Sequence, residues 1–171
     1  MKKLQIVLIA LLTSSLFISC QKSKGVTNAD DMGRYAFDIL KNLDNVTKYK
    51  YVETLFTVDE IKAFGKRNAE TLDPKAKKDI DKIEKAEYNE RMEKDYFRLK
   101  ERAKKNNITW NAIEYGDYKF KERDEDGIKG ARGKLTFKHG DKTYFVKVTS
   151  VHLDGVHRLI RISRLDVHKE D

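Results

Sequence analysis

The chain predicts an α+β fold in which N-terminal helices, one of them long, pack on a C-terminal curved antiparallel sheet of about four strands. Three observations predict it. Up to about Lys105 apolar residues recur at helical spacing. After Asn107 they alternate with polar residues, and the turns His139-Gly140-Asp141-Lys142 and Asp154-Gly155 divide that second half. The length of 171 residues suits one domain. Hydrophobic residues at 39% and charged residues at 37% describe a folded chain with a heavily solvated surface. One cysteine excludes an internal disulfide, so packing must hold the fold together.

The elements follow in order. Met1-Lys2-Lys3 forms a positive n-region, and the apolar stretch from Leu4 to Ile18 ends at Cys20 and the polar "QKSKG". This is a signal-peptide pattern, since a spanning helix needs about 20 predominantly apolar residues. Residues 21–28, "QKSKGVTN", are polar and without hydrophobic period, and are read as a tether.

Asn28 is placed to cap a helix running to about Asn45, with Met32, Ala36, Ile39, Leu43 and Val46 on one face. "YKYVETLFT" reads as a short linker. Thr57-Val58-Asp59-Glu60 has capping-box spacing and opens a short helix, "VDEIKAFGKRN", whose Ile61 and Phe64 face a core. Asp73-Pro74 starts a third helix, read as one long element to about Lys105 and ended by Asn106-Asn107. Its charges alternate in sign at i,i+4, the signature of a solvated helix face.

"ITWNAIEYGDYKFKER" starts the sheet, with Tyr118 and Phe120 alternating with Lys119 and Lys121. Leu135 and Phe137, then Tyr144, Val146 and Val148, continue the pattern, giving one apolar and one largely wet face. Glycines 127, 130 and 133 are assigned to a flexible acidic turn.

Little chemistry is legible. Glu122 to Gly127 has the acidic alternation of a calcium loop, but the twelfth position, where a bidentate glutamate is required, is Gly133. His152 and His157 flank the Asp154-Gly155 turn as expected cross-strand neighbours, and two imidazoles are an incomplete zinc site. No H-E-x-x-H, G-x-S-x-G or phosphate-binding glycine motif occurs, so no catalytic residue, metal or cofactor is assigned.

Phe17-Ile18-Ser19-Cys20 resembles the bacterial lipobox, with Phe17 where leucine is usual, and the leader is similar to those of Bacteroidetes-type lipoproteins. That resemblance implies a signal peptide over 1–19 and a Cys20 N-terminus bearing acyl chains such as palmitate. It further implies a lipid-anchored tether over 20–27 and a single domain over 28–171. Gln21 after the cysteine and the lack of an acidic run imply the periplasmic face of an outer membrane. The order of helices then sheet resembles the cystatin-like or nuclear-transport-factor-like cone. In cone folds of this kind a cavity often opens between helix and sheet; that resemblance makes Trp110, Tyr115, Tyr118, Phe120, Phe137 and Tyr144 the candidate lining, and Glu114 and Asp117 the acids an enzyme of that kind could use if buried. Together these imply a non-catalytic module binding an envelope protein or component, with a small-ligand binder or enzyme using the helix–sheet cavity as the alternative. The net charge of +8 is mixed in sign along the chain, and nucleic acid is not an expected partner of an exported protein.

Overall fold

The computed structural model describes residues 24–168; Cys20 and the leader lie outside them. The chain is α+β. Among the described residues five α-helices precede four strands: α1 (Asp31–Lys41), α2 (Lys48–Thr54), α3 (Val58–Arg67), α4 (Pro74–Asp81), α5 (Lys85–Lys105), then β1 (Glu114–Glu125), β2 (Ile128–His139), β3 (Lys142–Leu153) and β4 (Val156–Val167). The strands form one antiparallel sheet in the order β1-β2-β3-β4.

Local chemistry explains most boundaries. Thr57 and Glu60 make a reciprocal capping box at the start of α3, and Asp73 accepts from the Lys75 amide ahead of Pro74 at the start of α4. Asp126-Gly127 and Asp154-Gly155 all have positive φ, as type I′ hairpins require, while at the β2–β3 turn Gly140 is the positive one. Gly130 and Gly133 are strand residues of β2, so the acidic turn is confined to two residues. Both glycines answer crowding: a Cβ would meet the Ser150 carbonyl oxygen at 2.4 Å from position 130 and the Tyr118 ring at 2.3 Å from position 133.

Two helical expectations are corrected. The span read as one long helix breaks at Lys82–Glu84, where Glu84 is extended (ψ 124°). Nothing local breaks it: α4 packs against α3 while α5 runs along β4, and a straight helix cannot serve both. The presumed linker contains α2, capped by Thr47 and burying Tyr51 and Val52. In α1 the buried stripe is Met32, Gly33, Ala36, Phe37 and Leu40, with Ile39 at its edge and Leu43 in a following 3-10 turn.

The helices wrap the β4 side of the sheet. α1 lies over the face bearing Tyr118, Leu135, Val146, Val148 and Ile162, which are all buried. α3 and α4 approach the opposite face at the end that holds the β1–β2 and β3–β4 turns, through Ile128, Val151 and Leu153. Two carbonyls on the edge of β4 are met by α2 and the residues after it: the Phe56 amide donates to Leu159 O (2.7 Å) and the Tyr51 hydroxyl to Ile162 O (3.4 Å). The stretch expected to be a tether joins the same edge, since Val26 pairs with His157 in an antiparallel bridge.

Candidate functional site

Between α3, α4, the start of α5 and the turn end of the sheet lies an open cleft of about 400 Å³. Its walls are apolar: Phe56, Ile61, Phe64 and Ile80 on the helical side face Ile128, Val151, Leu153 and Ile160 on the sheet. The sequence builds it through two devices. Gly65 lets α3 approach α4 so closely that a Cβ there would stand 2.8 Å from Ile80. The helix break then carries Ile83 and Tyr88 onto the far wall.

Charge is gathered around these walls. Glu125 is held by Arg123 (2.9 Å) and Arg132 (3.7 Å), and Asp126 by Lys75 (3.0 Å). Arg91 is exposed, faces the Tyr88 ring at 5.6 Å, and has no carboxylate partner among the described residues. Tyr88 donates its hydroxyl to Phe56 O (2.8 Å), and burial pushes its ionisation up to about 12 despite the nearby Arg91. The cleft therefore offers an apolar floor, a neutral phenol and an uncommitted guanidinium.

The six aromatic residues expected to line a cavity do not line this one. Trp110, Tyr118, Phe137 and Tyr144 are buried, and Tyr115 and Phe120 pack at the margin of the same core. Phe137 is central, with ring centroids 6.0 Å from Trp110 and 5.8 Å from Tyr144; Tyr115 meets Phe37 at 5.4 Å, and Tyr118 stacks on Phe120 at 5.4 Å. At these positions alternation marked core filling. Glu114 and Asp117 are exposed, and Asp117 accepts from the Tyr118 amide, so neither is a buried acid. The cleft is not legible in the sequence because its walls come from three helices and four strands, and only the break after Asp81 brings Ile83 and Tyr88 to it.

The histidine pair is formed as expected. His152 and His157 are register partners with ring centroids 4.6 Å apart. His157 is buried, its Nδ1 has no partner among the described residues, and desolvation followed by the neighbouring His152 lowers its affinity for a proton. Among the described residues no three His, Cys, Asp or Glu side chains converge as a metal site, and Asp124 instead accepts from the Gly127 amide (3.1 Å). A second groove, between α5 and β4, carries Arg98, Arg102, Lys147 and Arg164 around the ion pair of the buried Asp95 with the partly exposed Arg161. No described helix is long and apolar enough to cross a membrane.

No protein-family model matches the chain, and comparison with characterised proteins and with solved structures finds no match.

Proposed function

We propose that this is a lipid-anchored protein of the cell envelope, held through an acylated Cys20 at the periplasmic face of an outer membrane. Its domain acts as a non-catalytic binding module for an amphipathic envelope component. The lipobox-like Phe17-Ile18-Ser19-Cys20 supports the anchor. The observation that carries the binding reading is the open apolar cleft lined by Arg91, which has no carboxylate partner among the described residues. Its 400 Å³ falls in the range of small-molecule sites.

The physical division of labour is simple. An apolar chain laid between Phe64, Ile80, Val151 and Leu153 leaves water at about 25 cal/mol per Å² buried. A carboxylate or phosphate at its head completes the charge of Arg91 by a charge-assisted hydrogen bond. Of the acids in the cleft lining, Glu125 is engaged by Arg123 and Arg132 and Asp126 by Lys75, while Asp79 on α4 is exposed.

Titration with dansylated undecanoic acid tests this. Saturable micromolar binding is expected, abolished by Thr149→Trp, which fills the cleft from a half-buried position. Arg91→Glu should weaken it about tenfold, or about 1.4 kcal/mol. Absence of saturable binding, or equal affinity for the acid and the corresponding alcohol in wild type and Arg91→Glu, contradicts it.

A further inference from the structure

Lys24, Gly25 and Val26 are fixed to one end of the domain. The Val26 amide donates to His157 O (3.0 Å) and the His157 amide to Val26 O (2.7 Å). Arg158 donates to the Lys24 carbonyl, and the Lys24 ammonium lies 3.4 Å from Glu60. Gly25 has φ +135°, and a Cβ there would stand 2.3 Å from the His157 carbonyl oxygen. Only glycine lets the chain lie this close.

Cys20 precedes Lys24 by four residues, which reach at most about 14 Å when fully extended. The sheet is much longer: β3, with 12 residues, separates its two ends by about 36 Å. A polar tether of eight or more free residues would let the domain turn in any direction. A docked one does not, because the reach left over is less than half the length of the sheet.

We infer that Lys24–Val26 act as an orienting strap. They hold the end of the domain that carries the β1–β2 and β3–β4 turns against the bilayer in which the anchor is inserted, and turn the β2–β3 hairpin away from it. The inference rests on the acylation of Cys20. The cleft belongs to the bilayer-facing end, since Leu153 and Ile160 lie within four residues of His157, the point of docking. Its occupant thus reaches it from the membrane surface.

The test uses the acylated full chain in vesicles of phosphatidylethanolamine and phosphatidylglycerol carrying a headgroup-attached nitroxide quencher. A bimane label is placed by Lys129→Cys at the strapped end or by Asp141→Cys at the opposite end, both exposed positions. Severalfold stronger quenching at 129 than at 141 is expected. Gly25→Ala, with unchanged circular dichroism, should reduce that ratio towards one. Equal quenching at both positions in the wild type, on protein whose acylation is verified by mass, overturns the strap and leaves the anchor standing. A ratio unaltered by Gly25→Ala also overturns the strap. Protein that stays in solution with an unmodified N-terminus overturns the anchor itself, and the strap with it.

Discussion

Gly33 of α1 rests directly on Tyr118 of β1, so closely that a Cβ at position 33 would stand 2.3 Å from the tyrosine Cβ. Glycine within a helix ordinarily costs about 1 kcal/mol relative to alanine. Here the sign reverses, because the obstructing atom is next to the backbone and cannot rotate away. Gly33→Ala should therefore destabilise the protein by about 1–3 kcal/mol in urea unfolding. A more stable variant would show that α1 does not lie on β1 in this way.

The Tyr118 ring also covers Gly133, and its hydroxyl is buried without a hydrogen-bond partner among the described residues. Burial raises its ionisation to about 12. Tyr118→Phe removes an unsatisfied polar group and keeps the ring between its two glycines. A gain of about 1 kcal/mol is expected in the same unfolding experiment; a loss would indicate a partner for the hydroxyl.

Asp95 on α5 is 3% exposed and receives two hydrogen bonds from Arg161 on β4, Nε to Oδ2 and Nη2 to Oδ1 (3.0 Å). The pair is asymmetric, since the arginine side chain is 37% exposed. Arg161→Ala leaves the buried carboxylate only the exposed Arg98, 3.9 Å away, and should cost about 3 kcal/mol. Asp95→Ala leaves a cation that can reach water and should cost less, about 1–2 kcal/mol. Denaturation of both single variants checks the order, and replacing both residues by Leu and Met should cost less than Arg161→Ala alone.

His157 makes stability depend on pH in a defined direction. Its folded-state proton affinity is lowered by burial and by His152, with Glu122 opposing. A histidine whose folded pKa lies below its unfolded value of about 6.5 favours the native state above that value, and the contribution is lost as pH falls through the folded pKa. Thermal melts from pH 7.5 to 5.5 should fall more steeply for wild type than for His157→Asn. Parallel curves would contradict the assignment.

The sheet half of the chain was legible in detail because its signals are local. Alternation around Tyr118–Lys121 and Leu135–Lys138, the Asp154-Gly155 turn, and the pairing of His152 with His157 all survive in the structure. The capping residues Thr57 and Asp73 were equally readable. The helix break at Lys82–Glu84 was not, since Lys82, Ile83 and Glu84 are ordinary helix residues and only packing against α3 and β4 separates the two axes. The same non-local cause hid the cleft, whose Phe64, Ile80 and Val151 are far apart in sequence. Aromatic alternation pointed to the filled core instead. Docking of Gly25-Val26 on His157 was also invisible, because two residues show no period.

The state of Cys20 tests the account most directly. Intact-mass and N-terminal fragment analysis of the protein extracted from membranes should show a chain beginning at Cys20 and carrying the added mass of its acyl chains. An unmodified chain that retains residues before Cys20 would contradict it.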